Sequence, residues 1–156
     1  MAFFRSVPIA EAVFSRDRLP AGLARHAHDS ITLTWQERAK SRARWTTAGG
    51  VEFGTMLPPG TVLKDGDCLA LENPPLVIVV REEPEPVLVA TPGSPEQAAL
   101  WAYQIGNSHQ PLMLDAGALI CLDVKGMDEV LAFHAIPFER AVRPFTPVSV
   151  GPGHHG

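Results

Sequence analysis

Histidine is the residue type in this chain that is best placed to do chemistry. Six histidines are present, and His109 lies within the hexapeptide GNSHQP, residues 106–111, between a glycine and a proline. The hexapeptide follows a predicted helix, and loops project side chains that the flanking elements hold in place. Because a neutral imidazole binds borderline metals such as nickel, copper and zinc, this position favours a metal-binding hypothesis for His109.

The other histidines give weaker indications. His154 and His155 lie in a glycine-flanked segment at the end of the chain, where exposed imidazoles are free to bind the same metals. His26 and His28 lie in a polar stretch for which a solvated loop is the favoured interpretation. His134 falls on the apolar stripe of a predicted helix, which favours a core or boundary position. Spacing alone leaves the roles of these last three histidines open.

Motifs for catalysis are missing from the sequence. It has no Gly-x-Ser-x-Gly elbow, no phosphate-binding glycine loop and no His-Glu-x-x-His. Asp65 and Asp67 flank a glycine, and turn formation explains them better than paired-carboxylate catalysis. Cys68 and Cys121 form no C-x-x-C pair, which fits a reducing compartment. We therefore expect a protein that binds a ligand and is not an enzyme.

Composition excludes several classes of partner. The net charge of −4 and the pI near 5.8 argue against nucleic-acid binding, which usually requires a basic surface. No apolar run approaches the roughly 18 residues that a membrane span requires, and the N-terminus shows no signal peptide. A cytoplasmic protein without membrane contact is expected.

One local basic pattern stands apart from this acidic balance. Four cations at every second position, Arg38, Lys40, Arg42 and Arg44, would point to one face of a strand. A solvated face is favoured over a phosphate-binding stripe.

The elements that must position His109 divide the chain into two predicted domains and a tail. Residues 1–80 contain short strands separated by frequent turns, which is typical of a small all-β domain. One of those strands is predicted over residues 30–35. The charged, proline-containing stretch at residues 81–86 marks the boundary. Residues 81–148 form the second domain, and residues 149–156 form a flexible tail that contains His154 and His155.

The second domain is predicted to have the order β-α-β-β-α-β. Its first helix begins with Ser94 as N-cap and Pro95 at the first helical position, with Gln97 completing a capping box and Gly106 as C-cap. A hairpin turn is predicted at residues 115–117, a second helix at 127–135 and a last strand at 136–142. This order is that of the ferredoxin-like sandwich, so the predicted class is α+β with two domains.

Three stretches of the chain resemble the UreE-type urease accessory proteins. AYQIGNSHQP at residues 102–111 is similar to the family's helix end followed by Gly-Asn-x-His-x-Pro. LPPGTVL at residues 57–63 with GDCL at 66–69 is similar to its N-terminal Leu-Pro-x-Gly and Gly-Asp-x-Leu segments, and PFTP at 144–147 to its Pro-Phe-x-Pro ending. Members of the family are cytosolic nickel chaperones.

The resemblance implies a function, a metal and partners. It implies a β domain that contacts partner proteins, followed by a ferredoxin-like domain that dimerises. His109 from each subunit would be the principal ligand across the two-fold axis, and His154 and His155 would add imidazoles. The cargo would be Ni²⁺, with Zn²⁺ or Cu²⁺ able to bind at the same site. Delivery would be to the urease assembly complex of accessory GTPase and urease apoprotein, by a homodimer or a metal-linked dimer of dimers.

Two alternatives remain open beside this interpretation. The first is a metal-independent adaptor whose ferredoxin-like domain binds a partner protein, and the second is a small metal-dependent hydrolase. The chain also departs from the family pattern, because residues 122–125 read LDVK where many relatives carry further histidines. Chelator treatment separates the alternatives, since an adaptor keeps its partner in EDTA and a hydrolase loses its activity.

Overall fold

The computed structural model describes residues 6–148 of the 156-residue chain. The chain divides between Glu83 and Pro84 into two compact units, each with its own hydrophobic core. No helix within the described range is long and apolar enough to cross a membrane.

The first unit contains seven strands in two sheets. The strands are β1 (Ile9–Ala10), β2 (Val13–Phe14), β3 (Ala27–Leu33), β4 (Arg42–Thr46), β5 (Glu52–Met56), β6 (Cys68–Leu71) and β7 (Leu76–Glu82). One sheet has the order β1-β5-β4 and the other the order β2-β6-β7-β3. The unit also holds a 3-10 turn and two single-turn helices, α1 (Ala21–Ala24) and α2 (Trp35–Arg38).

The core of the first unit is built from both sheets. β7 lies between β6 and β3, and its residues 76–78 and 80 are buried. A strand covered on both faces reads as a nearly continuous apolar run, as β7 does. Phe53 of β5 and Leu33 of β3 belong to the same buried cluster. The all-β character predicted for this region is confirmed.

The strand predicted over residues 30–35 ends earlier than expected. Thr34 is the N-cap of α2: its side chain accepts a hydrogen bond from the Glu37 backbone, and the Glu37 carboxylate accepts one from the Thr34 backbone. This reciprocal capping box satisfies two backbone N–H groups and starts a helix at Trp35. Trp35 therefore belongs to a helix and not to the strand.

The basic stripe is likewise split between two elements. Arg38 ends α2, and its side chain is completely buried at 0% exposure, whereas Arg42 and Arg44 lie on β4 and are exposed. The Arg38 guanidinium donates to the Leu63 carbonyl at 3.2 Å and forms an ion pair with Glu82 at 3.2 Å. The expectation of one solvated face was wrong for Arg38, because helix α2 turns its side chain into the unit.

The second unit has the predicted order of elements. The strands are β8 (Glu85–Ala90), β9 (Met113–Asp115), β10 (Ala118–Leu122) and β11 (Glu139–Arg143), and the helices are α3 (Pro95–Asn107) and α4 (Met127–Phe133). The sheet is antiparallel with the order β11-β8-β10-β9. The ferredoxin-like βαββαβ fold is confirmed.

Local sequence explains the start of α3. The Ser94 hydroxyl accepts from the Gln97 N–H at 3.1 Å, and Pro95 occupies the first turn, where its missing N–H costs nothing. The capping box predicted for Gln97 does not form, because its side chain accepts from the Gly93 N–H at 2.7 Å. The Gln97 side chain therefore binds the backbone of Gly93, the residue before the N-cap, and not that of Ser94.

The core of the second unit lies between the sheet and the two helices, and a tight turn joins two of the strands. Ala116 and Gly117 adopt positive φ angles of 47° and 81°, which are suited to a tight hairpin between β9 and β10. Trp101 and Ile105 of α3 and Leu131 of α4 are buried against one face of the sheet. The core therefore fixes both helices relative to the strands.

Removing the Arg38 side chain tests how much its buried pair contributes. Arg38→Ala removes the buried guanidinium that binds the Glu82 carboxylate and the Leu63 carbonyl, so we expect a loss of about 3 kcal/mol or more in unfolding free energy. Arg42→Ala, at an exposed position, should stay within about 0.5 kcal/mol of wild type. The measurement is urea denaturation followed by circular dichroism. Equal stability of the two variants would contradict the assignment.

Candidate metal-binding loop

His109 is presented to solvent directly beyond the end of α3. Ser108 is the C-cap of the helix, and His109 follows in the left-handed region with φ of 58°. Its side chain is exposed. Histidine tolerates this backbone conformation better than most non-glycine residues. The loop therefore holds an imidazole outside the helix without a glycine at that position.

Two of the last carbonyl groups of the helix accept hydrogen bonds from the residues that follow it. The backbone N–H and the hydroxyl of Ser108 both donate to the Ile105 carbonyl, and the His109 N–H donates to the Gly106 carbonyl at 3.0 Å. The prediction that Gly106 is the C-cap was wrong, since Gly106 lies inside the last turn of α3. His109 takes the left-handed position that glycine usually fills after a helix.

Helix α4 supports the loop from the other side. The Ser108 hydroxyl lies 3.7 Å from the Met127 sulfur, at the first residue of α4. A shallow cavity of about 290 Å³ lies between the two segments. Its lining consists of Ser108, Gln110, Val124, Lys125, Gly126, Met127 and Val130. The residues on both sides of His109 thus face the segment that starts α4.

An arginine on the last strand holds that segment. The Arg140 guanidinium binds the carboxylates of Asp123 and Asp128, which lie on either side of this segment in sequence. The hydrogen bond from Arg140 lowers the pKa of Asp128, and the same pair of carboxylates raises the pKa of Arg140. These ion pairs link the start of α4 to β11. Met127, in the same segment, contacts Ser108 of the loop.

The residues after β11 bring the chain back to the same loop. Phe145 and Pro147 are buried, and the Val148 N–H donates to the Leu112 carbonyl at 2.8 Å. Leu112 is three positions beyond His109 in sequence. The last described residue of the chain, Val148, is therefore bound to the segment that directly follows the His109 loop.

His154 and His155 themselves lie outside the described residues. His154 is the sixth residue after Val148, and six residues span at most about 20 Å.

Three further histidines lie within the described residues. His28 is exposed on β3 in the first unit, and His26 is half-buried before the same strand. His134 is half-buried at the C-cap of α4, with its ring edge-on to Phe133 at 5.1 Å. Within residues 6–148 no group of three or more His, Cys, Asp or Glu side chains is arranged to hold a metal.

The two thiols are poor ligands because they are buried. Burial raises the pKa of Cys121 to about 11, and the nearby Asp123 charge adds to that shift. Burial also raises the pKa of Cys68. Since the thiolate is the form that binds metal, neither cysteine contributes a ligand in this conformation. The exposed imidazoles among the described residues are therefore those of His28 in the first unit and His109 in the second.

Comparison with known proteins gives a consistent result across both units. The model of the UreE urease accessory protein N-terminal domain matches residues 15–81, and that of its C-terminal domain matches residues 85–156. The urease accessory protein UreE of Dechloromonas aromatica (strain RCB) is 34% identical over 135 residues, covering 83% of this chain and 77% of the relative. Its counterpart in Burkholderia mallei (strain SAVP1) is 35% identical over 142 residues, covering 89% and 69%.

The left-handed backbone at His109 predicts an unusual order of stability. Glycine adopts a positive φ without the steric cost that alanine has. The free energy of unfolding of His109→Gly should therefore be about 1 kcal/mol higher than that of His109→Ala. Asn107, inside α3, is the matched control, since there alanine should be more stable than glycine by a similar amount. Urea denaturation of the four variants measures both differences. If the glycine and alanine variants ranked in the same order of stability at both positions, the left-handed backbone at His109 would be contradicted.

Proposed function

The chain belongs to the UreE family of urease accessory proteins, and we propose that it is a nickel-binding metallochaperone that delivers Ni²⁺ to the urease assembly complex. Membership places its role in urease maturation. The observation that carries the nickel proposal is the exposed His109 imidazole, fixed at the end of α3 beside the point where the tail departs.

The His109 imidazole alone is too few ligands to hold a metal ion, so in this proposal a second copy of the chain contributes its own His109. A two-fold axis through the loop region converts one exposed histidine into a facing pair. Helix α3, which ends at this loop, leaves Leu100 and Tyr103 exposed at 54% and 68%. Large exposed apolar side chains of this kind commonly mark a protein contact. We therefore propose a homodimer, or with metal a dimer of dimers, with one His109 from each subunit on Ni²⁺.

The tail supplies the remaining imidazoles in this proposal. His154 and His155 follow Val148 in sequence, and the Val148 N–H donates to the carbonyl of Leu112, three residues beyond His109, which supports a role for them as further ligands. Imidazole nitrogen suits Ni²⁺, and it also suits Zn²⁺ and Cu²⁺, which would compete for the same site.

A site of this kind is suited to carrying a cargo that must be released. The proposed ligands are imidazoles, and protons compete with nickel for each imidazole, so affinity should fall as the solution becomes more acidic. The partners in this proposal are the urease accessory GTPase and the urease apoprotein, in the cytoplasm. The protein would perform no turnover of its own, and neither nucleic acid nor membrane would be a partner.

Replacing the principal ligand tests the proposal. His109→Ala should abolish the tightest nickel-binding step in isothermal titration, because the facing pair of imidazoles is lost from each dimer. His28→Ala, which removes an exposed histidine from the first unit, is the matched control and should bind as wild type does. Native mass spectrometry with and without Ni²⁺ counts the subunits per ion. Unchanged nickel affinity and stoichiometry in His109→Ala would refute the proposal.

The tail histidines should matter less than His109. In a His154→Ala and His155→Ala double variant, we expect weaker nickel binding but retention of the step that depends on His109, because the facing pair remains. Replacing Pro152 by Ala, which leaves all imidazoles in place, is the control. If the double variant loses nickel as completely as His109→Ala, the tail and not the loop holds the principal ligands.

A further inference from the structure

The shallow cavity beside the His109 loop has a chemistry that the nickel proposal does not use. It encloses about 290 Å³, and the two sequence neighbours of His109, Ser108 and Gln110, both contribute to its lining. The opposite wall is formed by the segment that leads into α4. This volume is small for a ligand pocket, so the cavity suits a compact ligand of a few carbon atoms.

A positive charge lies in this cavity. Lys125 is the one charged residue among the described residues of the lining, and its side chain is exposed. Within residues 6–148 it forms no ion pair. The nearest carboxylates in sequence on either side of it, Asp123 and Asp128, are both bound to Arg140. Lys125 is therefore the charge that an anionic ligand would meet.

The rest of the lining favours an organic anion over an inorganic one. Val124, Met127 and Val130 supply apolar surface, and Val124 is 37% exposed. The side chain of Gln110 carries an amide group that can donate hydrogen bonds to a carboxylate. The carbon chain of an organic acid would be partly covered by the apolar residues, whereas an inorganic anion has no carbon surface to bury.

A carboxylate in this cavity would also suit the proposed nickel site. Ni²⁺ accepts mixed sets of nitrogen and oxygen ligands. The ammonium group of Lys125 repels a bare divalent ion and attracts an anionic complex of the same ion. Because the neighbours of His109 line the cavity, a bound polycarboxylate would be placed to pair with Lys125 through one carboxylate and to bind the ion through another.

We propose that this cavity binds a small di- or tricarboxylic acid, and that nickel enters the His109 site as the complex of such an acid. Lys125 pairs with one carboxylate, and the apolar residues cover the carbon chain. A second carboxylate stays on Ni²⁺ while imidazoles replace water in its coordination shell, so the only chemical step is ligand exchange. Entry of the nickel complex rests on the nickel proposal, and binding of the free acid does not.

Citrate in the absence of metal tests the cavity itself. In a nitrogen-15 NMR titration of the full chain at about 50 mM salt, where charges are weakly screened, citrate should shift the backbone amides of Lys125 and Gly126 saturably. Inorganic pyrophosphate has a similar charge at neutral pH but no carbon chain, and it should bind about fivefold more weakly.

Matched lysine variants separate the cavity from general surface charge. Lys125→Gln should weaken citrate binding about tenfold, because a charge-assisted contact is lost. Lys64→Gln makes the same change in net charge at an exposed lysine of the first unit, and it should bind citrate as wild type does. The absence of saturable shifts, equal binding of citrate and pyrophosphate, or equal losses in the two variants would each overturn the proposal.

Nickel titration in citrate tests the ternary complex. A chelator that only competes with the protein lowers its apparent nickel affinity by mass action. The wild type should instead retain nickel when citrate complexes all of the free ion, and native mass spectrometry should show the dimer with both Ni²⁺ and citrate. Lys125→Gln should lose its nickel to citrate, whereas Lys64→Gln should keep it.

The two proposals fail in different ways. If the wild type binds nickel in plain buffer and citrate strips it, entry as a carboxylate complex is refuted and the nickel proposal stands. If His109→Ala binds nickel as wild type does, the nickel proposal is refuted, and the metal-free citrate titration still decides whether the cavity binds a carboxylic acid.

Discussion

The way α3 ends is the physical constraint on which the candidate site depends. A helix leaves its last carbonyls without intrahelical partners, and these must be satisfied locally. Ser108 donates twice to the Ile105 carbonyl, and the chain then leaves the helix through a residue in the left-handed conformation. That residue is His109. The position and exposure of the imidazole are therefore consequences of helix termination, and the neighbouring elements need only support the turn.

The support comes from segments that are far apart in sequence. Met127 contacts Ser108, Arg140 fixes the carboxylates on either side of the Met127 segment, and Val148 binds Leu112. The ferredoxin-like order explains why these contacts meet, since it brings both helices to one face of the sheet. The first unit has a separate core, so the packing that supports the His109 loop is contained within the second unit.

Sequence patterns predicted most of the second unit and less of the first. The cap at Ser94, the turn at Gly117 and the helical periodicity around Leu131 are local, and each confirmed element depends on neighbours within a few residues. Arg38 could not be placed in this way, because its burial depends on Glu82 and Leu63 from other parts of the chain. The Thr34-x-x-Glu37 capping box was visible in the sequence and indicated the helix that places Arg38 inside.

Burial of the two thiols has a consequence for how quickly cargo could be exchanged. Thiolates hold soft and borderline metals tightly, and an accessible Cys68 or Cys121 would compete with imidazole for the nickel ion of the proposed site. Both thiols are buried, and burial raises the pKa of each, which disfavours the thiolate that would bind the ion. In the proposed carrier the cargo would therefore stay kinetically labile, and the buried thiols would be protected from oxidants that attack exposed ones.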